Sequence, residues 1–123
     1  MTQYTRVYTD EKGETHFEDV EIELLPVDFA PPAPALNLST FIDAKKYCFI
    51  NAPTGWHGDW HPAPKRQVIV YISGKIEATA SDGEVRVFGP GSVTLVEDTT
   101  GKGHTSRVVG DEEVLGIVIQ LED

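Results

Sequence analysis

The side chains best suited to chemistry lie in two glycine-led segments of the 123-residue chain. In the first segment five residues separate Gly55 from His61, and Gln67 follows shortly afterwards. In the second, a short apolar run and a glycine-rich turn separate Gly91 from His104. An imidazole binds zinc, iron, copper or nickel, and it also donates and accepts hydrogen bonds. The two histidines are therefore candidates either for metal ligands or for a hydrogen-bonding pair in a cavity.

Two further polar residues precede His61. Asp59 lies two residues before it, and side chains two apart share one face of an extended strand. His57 lies four residues before it, which is about 13 Å along a strand and too far for both imidazoles to bind one metal. A loop at Gly58 would shorten that distance. Asp59 is thus an additional candidate, and His57 is excluded if the segment is extended.

The loop before His104 reads EDTTGKG. Its glycines and Lys102 suggest a phosphate site, but a P-loop places its lysine at the start of a helix, and no helix is predicted to follow here. Near a cavity, Glu97, Asp98 and His104 would instead provide an acid/base pair. The alternative is a polar turn in which Asp98 accepts hydrogen bonds from its own backbone.

Short strands are expected to position these residues. Apolar runs alternate with turns rich in Gly, Pro, Asn and Asp, and no window shows a convincing helical period, although one helical turn fits Thr40–Ala44. About ten such strands predict an all-β antiparallel sandwich or barrel. Gln67, Ile69 and Tyr71 share one strand face. The predicted strands are Tyr4–Thr9, Thr15–Leu24, Lys45–Asn51, Gln67–Ser73, Lys75–Ala80, Glu84–Phe88, Ser92–Val96, His104–Val109 and Val114–Leu121.

The length predicts a single domain, 1–123. Residues 1–25 are expected to form N-terminal strands, residues 26–39 a proline-rich strap along the surface, and residues 40–123 the barrel. The four prolines within Pro26–Asn37 exclude a helix interior or a central strand. The residues before the strap are too few for a domain of their own.

Charge and composition narrow the class of protein. Twenty acidic residues against ten basic ones give a net charge of −10, which disfavours binding to nucleic acid or to an anionic membrane. No stretch approaches the roughly 20 apolar residues of a membrane span, and no signal peptide is recognised. The single cysteine, Cys48, is expected to be a small buried apolar residue. A cytoplasmic location follows as the expectation.

The two segments together resemble the two motifs of the cupin superfamily. The likeness covers about residues 45–121 and is closest to small single-domain bacterial cupins with a WHPAP-x-RQ stretch and an EDTTGKGH loop. It implies an RmlC-like, cupin-type double-stranded β-helix (a jelly-roll barrel), here with an N-terminal strand extension. The positions that match are Gly55, His61, Gln67, Gly74, Gly91 and His104.

The chain also departs from the motif at four positions. Ala63 stands where the family has its second histidine, and Gln67 stands where it has a glutamate. Glu97 replaces the turn proline, and Val108 replaces the final asparagine. The metal motif is therefore degenerate, because a histidine and the carboxylate that neutralises a dication are both missing.

The resemblance also implies roles for particular residues. Typical cupins hold iron, manganese, zinc or nickel with three histidines and one glutamate. By the matching positions, His61, Gln67 and His104 would hold one such divalent metal here, while Tyr71 or Glu97 would move protons.

The cavity of a cupin usually opens beside the first motif. Trp56, Trp60 and Phe49 are therefore candidates for the apolar lining that contacts a bound cofactor or ligand. Two functions stay open: a divalent-metal-dependent enzyme of the oxygenase or isomerase type acting on a small organic molecule, and a metal-free cupin that binds a small metabolite without catalysis. We also expect a homodimer, since pairing would cover an exposed edge of the sheet that the N-terminal strands extend.

Overall fold

The computed structural model describes residues 2–121, and these residues form twelve strands and no helix. No element within that range has the length and helical, apolar character that a membrane-spanning helix requires. The strands are β1 (Gln3–Thr9), β2 (Thr15–Glu21), β3 (Leu25–Val27), β4 (Leu36–Leu38), β5 (Ala44–Ala52), β6 (His57–His61), β7 (Gln67–Ser73), β8 (Lys75–Ala80), β9 (Val85–Phe88), β10 (Val93–Val96), β11 (His104–Val109) and β12 (Val114–Leu121).

Two sheets enclose the core. The large sheet has six strands in the order β2-β1-β10-β7-β12-β5, and the small sheet has four in the order β6-β11-β8-β9. Phe88 of the small sheet stacks on Tyr71 of the large sheet at a centroid distance of 5.7 Å and meets Phe17 edge-on at 6.1 Å. Burial of such aromatic rings from both sheets stabilises the sandwich. The all-β fold predicted from the sequence is confirmed.

The N-terminal strands extend the large sheet, as predicted. β1 pairs with β2 antiparallel and with β10 parallel, where Val7 lies beside Val96. Alternation along β1 and β2 turns Val7 and Phe17 into the core, where each is less than a tenth exposed. Burial of these two side chains couples the extension to the rest of the sandwich.

Four features of the first half of the chain differ from the expectations. β6 lies in the Trp- and Gly-rich segment that was expected to be turns, and β3 and β4 form a small hairpin within the strap. The helical turn expected at Thr40–Ala44 is absent from the structure. Cys48 is exposed rather than buried, because β5 is the edge strand of the large sheet and lacks a neighbour on one side.

A glycine forms the corner at which the chain passes from the large sheet to the small one. Gly74 is the single residue between β7 and β8, and it has a positive φ of 77°. A Cβ atom at this position would lie 2.9 Å from Cα of Val114. Only glycine therefore combines the left-handed backbone with the close approach of the segment that begins β12.

His16 joins the β1–β2 turn to the β8–β9 turn. Its Nε2 lies 2.7 Å from an Asp10 carboxylate oxygen, and its Nδ1 lies 2.7 Å from an Asp82 oxygen. The hydrogen bond to Asp10, followed by that to Asp82, raises the pKa of His16. The same contact with His16 lowers the pKa of Asp10 to about 2.

His16→Gln should lower the melting temperature more at about pH 5.5, which is below the usual histidine pKa, than at about pH 9, which is above it. The stability from the His16 imidazolium is fully present below the usual histidine pKa and is lost as the pH rises through the raised folded-state pKa. The Asp10 contribution is present above the usual aspartate pKa and is lost as the pH falls towards about 2. Differential scanning calorimetry at both pH values measures the difference.

The matched control is His57→Gln, since this exposed histidine has no ion pair with any other residue of the range 2–121. It should change the melting temperature little at either pH. An equal effect of His16→Gln at the two pH values would contradict the role assigned to its charge.

Candidate functional site

A cavity of about 350 Å³ lies between the two sheets. Most of its wall is apolar, and no Asp, Glu, Lys or Arg side chain of residues 2–121 lines it. The polar part of the wall includes His61, His104, Gln67, Tyr71 and Ser106. Such a cavity favours a small ligand with a largely apolar body and few polar groups.

The structure brings His61 and His104 together on one wall of this cavity. His61 is the last residue of β6, His104 is the first residue of β11, and the two residues pair directly across these strands. Their ring centroids are 4.8 Å apart, with the ring planes inclined at 56°. The two histidines singled out by the sequence therefore lie side by side on the cavity wall, where His61 is also exposed to solvent.

Gly103 permits this close approach. It has a positive φ of 77°, and a Cβ atom there would overlap the carbonyl group of His61 and lie 2.6 Å from the nitrogen of Pro62. The backbone of the loop before β11 thus packs directly on the end of β6. This contact fixes the distance between the two histidines.

Each imidazole is oriented through its Nδ1 atom. Nδ1 of His61 lies 2.6 Å from the carbonyl oxygen of Asp59, and Nδ1 of His104 lies 2.6 Å from Oδ2 of Asp98. A carbonyl and a carboxylate accept hydrogen bonds, so Nδ1 of each ring carries a proton. In the neutral rings Nε2 is then the acceptor left to contact a ligand.

Asp98 is the site residue whose role the sequence left open. Its side chain is fully buried, and its Oδ1 has no hydrogen-bond partner among the described residues. Thr94, Val96 and Asp98 are spaced by two residues, and the first two line the cavity. This alternation, continued beyond the end of β10, was the signal that Asp98 turns inward towards His104 rather than capping its own loop.

Glu97 points away from the cavity, to the other side of the large sheet. Its carboxylate accepts a hydrogen bond of 2.6 Å from Nε of Arg6 and another from Arg66. Burial, the largest single influence, would raise the pKa of Glu97, but the hydrogen bonds from Arg6 and Arg66 bring that pKa below its usual value. The structure thus places Glu97 in an ion-pair network rather than beside the histidines that it was predicted to assist.

Tyr71 lies at the cavity wall, as expected from its position on β7. Burial raises the pKa of Tyr71 to about 12, and the neighbouring Thr94 hydroxyl opposes part of that shift. The phenol therefore keeps its proton near neutral pH. Its hydroxyl can donate a hydrogen bond to a ligand, whereas it is a poor base.

The three aromatic residues proposed for the cavity mouth separate into two groups. Trp56 is about one-third exposed and lines the cavity. Trp60 and Phe49 are 51% and 67% exposed and lie outside the lining, and Phe49 instead meets Tyr47 edge-on on the outer face of the large sheet.

Asp59 contacts His61 through its backbone carbonyl rather than through its carboxylate. Oδ1 of that carboxylate instead accepts a hydrogen bond from the backbone N–H of Trp60.

The donors at the histidine wall do not fit a resident divalent metal. No group of three or more His, Cys, Asp or Glu side chains within the described part of the chain is arranged to hold one. Gln67 adds only an amide, whose Oε1 already accepts from Nε2 of Gln120 at 3.3 Å. Two neutral imidazoles leave the charge of a dication unbalanced, since Asp98 reaches the cavity only through His104.

Comparison with models of protein families finds no match, and comparison with curated proteins finds none either. Similarity to solved structures is found, at low sequence identity.

The cupin domain of Schizosaccharomyces pombe Cnp3 superposes with a TM-score of 0.51 at 14% identity, over 100% of this chain and 89% of that one. An RmlC-like cupin protein from Desulfovibrio desulfuricans gives a TM-score of 0.45 at 18% identity, over 90% and 85% of the two chains. A protein from Neisseria meningitidis gives 0.46 at 14% identity, over 62% and 72%. The first comparison shows that the chain has the cupin-type jelly-roll fold predicted from its sequence.

Proposed function

We propose that this cupin-fold chain binds a small, largely apolar organic molecule that carries a hydroxyl group. The observation that carries the proposal is the adjacency of His61 and His104, whose ring centroids lie 4.8 Å apart on the wall of a mostly apolar cavity. Both Nε2 atoms accept hydrogen bonds, because both Nδ1 atoms donate to fixed oxygen acceptors. A ligand hydroxyl group can donate its one proton to either of these acceptors.

The volume and charge of the cavity limit the ligand further. At the roughly 30 Å³ that a water molecule occupies in the liquid, 350 Å³ holds about a dozen non-hydrogen atoms. With neither lysine nor arginine among its described lining residues, the wall offers no fixed positive charge to a phosphate or a dicarboxylate. A neutral aromatic or branched aliphatic alcohol fits both limits.

The chain's own groups supply the contacts. The hydroxyl of the ligand donates to Nε2 of His104 or His61, and the hydroxyl of Tyr71 is available to donate to an acceptor on the same molecule. The apolar body lies against side chains such as Ile69, Ile76 and Phe88, from which it excludes water. Buried acceptors that lose their partner are costly, so the site should discriminate against a ligand without a hydroxyl.

The matched ligands 4-methylphenol and toluene test this proposal, because they differ by one hydroxyl. The wild-type protein should bind 4-methylphenol about tenfold more tightly, and His104→Ala should reduce that preference to about twofold or less. Binding is measured by the fluorescence of Trp56 and Trp60 and by NMR of the ligand. The titrations are run with and without EDTA, and the affinities should agree because the site needs no metal.

Three outcomes would overturn the proposal: no binding of either compound, equal affinity for both in the wild-type protein, or loss of binding in EDTA. The last outcome would favour the metal-dependent cupin that the sequence motif suggests. Trp60→Ala is the matched control, since Trp60 lies near His61 in the chain but outside the cavity lining. It should leave the preference for the hydroxyl unchanged.

Proton transfer is a second candidate function for the same cavity, and the buried contact between Asp98 and His104 favours it. A carboxylate on Nδ1 keeps Nε2 free to accept a proton and stabilises the imidazolium that then forms. With an α-hydroxy ketone, Nε2 of His104 would remove the proton from the carbinol carbon, and the C–H electron pair would form an enediolate. Return of a proton to the neighbouring carbon, with transfer of the hydroxyl proton from the first oxygen to the second, would complete an isomerase-type reaction.

A further inference from the structure

The outer face of the large sheet is apolar over four strands. Tyr71 of β7 points into the cavity, so its neighbour Val70 points outward. The pairing of β10, β7, β12 and β5 aligns two rows of apolar side chains on this outer face. These rows, here called the outer patch, are Val93–Val70–Ile117–Phe49 and Leu95–Val68–Ile119–Tyr47.

A solvated antiparallel sheet normally carries polar side chains on its outer face. β7 and β12 instead read QVIVYIS and VLGIVIQL, which are continuous apolar runs typical of strands covered on both faces. In this single chain Phe49 and Tyr47 are 67% and 70% exposed, and the other six members of the patch are partly exposed. The patch therefore lacks the second layer for which its sequence is suited.

The segment just before β5 also exposes apolar side chains. This segment, here called the arm, is the run 24–43, and it includes the hairpin of β3 and β4. β3 and β4 pair with each other and with no other described strand. Large apolar side chains of the arm are exposed, with Leu25 at 57%, Phe29 at 55% and Phe41 at 84%. An isolated two-stranded hairpin is marginal in water, so the arm needs a surface to rest on.

We infer that the arm of one chain packs on the outer patch of a second copy, and that the second arm returns the contact to the first. The arm leads directly into β5, and β5 carries part of the outer patch. A single two-fold axis near this strand would therefore place each arm on the outer patch of the other chain, as in an isologous dimer. About twenty residues of arm and eight of patch on each chain match the roughly 20–30 residues per side of a standard interface. An exposed edge such as that of β5 would be covered in the same assembly.

The charges of the two surfaces are complementary. The arm carries two carboxylates, Asp28 and Asp43, and neither lysine nor arginine. Lys45 and Lys46 follow Ala44 at the start of β5, and the structure shows no ion-pair partner for either lysine within residues 2–121. The arm of a second copy supplies the opposite charge.

Sedimentation equilibrium of the full chain, from about 1 to 100 µM, tests the inference (a range set by typical association constants). The wild-type mass should be twice the chain mass of 13.5 kDa. Phe49→Glu in the patch and Phe29→Glu in the arm should each raise the dimer dissociation constant at least about tenfold. Lys45→Glu should weaken the dimer by a smaller factor. Circular dichroism and melting temperature verify that each variant folds, as the exposure of all three residues predicts.

Val87→Glu is the matched control, because Val87 is 54% exposed on β9 of the small sheet. It should leave the dimer unchanged. A monomeric wild-type mass over the whole range would overturn the inference, and so would a dimer weakened by Val87→Glu but not by Phe49→Glu. A dimer that depends on Phe49 but tolerates Phe29→Glu would show that the patches meet without the arms, which would also overturn it.

Discussion

Gly103→Ala should lower the free energy of unfolding by about 3–5 kcal/mol, which is a large part of the stability of a domain this size. Gly103 has a positive φ of 77°, which strains any residue with a side chain. The added Cβ would also overlap the carbonyl of His61 and approach the nitrogen of Pro62 to 2.6 Å. Both neighbours are backbone, so neither relieves the overlap by changing a rotamer.

The same substitution should damage the site more than the overall fold. To admit the methyl group, the end of β6 must move away from the start of β11, and these two strand ends carry His61 and His104. The preference for 4-methylphenol over toluene should therefore disappear even at temperatures where most of the protein is folded. Urea unfolding measures the stability, and the paired ligand titrations measure the site.

Gly110→Ala separates the two contributions. Gly110 has a positive φ of 83°, but a Cβ there would meet nothing within 4 Å. It should cost only the strain of the left-handed backbone, about 1–2 kcal/mol, and should leave ligand discrimination intact. If the two alanine variants were equally stable and bound both ligands alike, the contact between Gly103 and the end of β6 would not hold the histidines together.

The strands that frame the cavity could be predicted well from the sequence. The predicted bounds Gln67–Ser73, His104–Val109 and Val114–Leu121 coincide with β7, β11 and β12. These strands are long apolar runs bounded by Gly, Pro or charged turns, so local pattern and tertiary burial agree. Alternation placed Gln67 and Tyr71 on one strand face, and the resemblance to cupins implied that this face points into the barrel, where both residues line the cavity.

The missed elements have a different physical origin. β6 has the sequence HGDWH, which has no alternation of apolar and polar residues, and it is a strand because β11 pairs with it. The β3–β4 hairpin contains four prolines, and its strand residues are mostly exposed. Tertiary pairing overrides local propensity in both cases, and a pattern within one segment does not report such pairing.

The spacing of the motifs identified the histidine pair, but it did not identify what orients the rings. Asp98 and Glu97 are adjacent acidic residues in a glycine-rich loop, and their composition gives no reason to choose between them. Continuing the alternation of β10 by two residues would have placed Asp98 inward and Glu97 outward. The partners of Glu97 could not be predicted from the sequence, because Arg6 lies 91 residues away on the N-terminal extension.

Asp98→Asn should slow proton exchange at the carbinol carbon of an α-hydroxy ketone by at least about 100-fold, if His104 acts as the base. The probe is 1-hydroxy-1-phenylpropan-2-one in D₂O, followed by NMR as loss of the carbinol C–H signal. The wild-type protein should accelerate this loss over buffer. His104 takes the proton on Nε2, exchanges it with solvent, and returns a deuteron to the enediolate.

The expected loss follows from the hydrogen bond at Nδ1. Oδ1 of Asp98 is buried with no partner in the described part of the chain, and an amide oxygen tolerates that position better than an NH₂ group with two unsatisfied donors. The asparagine should therefore turn its NH₂ group towards His104. Nδ1 then becomes the acceptor, Nε2 carries the proton, and the ring presents a donor where the reaction needs a base. The ¹⁵N shifts of His104 report this change of tautomer directly.

Asp59→Asn is the matched control, because it makes the same chemical change beside the other histidine. Nδ1 of His61 donates to the backbone carbonyl of Asp59, so the side-chain substitution leaves that hydrogen bond in place. Asp59→Asn should retain wild-type exchange. Exchange at the wild-type rate in Asp98→Asn would exclude the carboxylate from proton transfer. A wild-type rate no faster than buffer would exclude catalysis on this substrate class while leaving the ligand-binding proposal to its own titration.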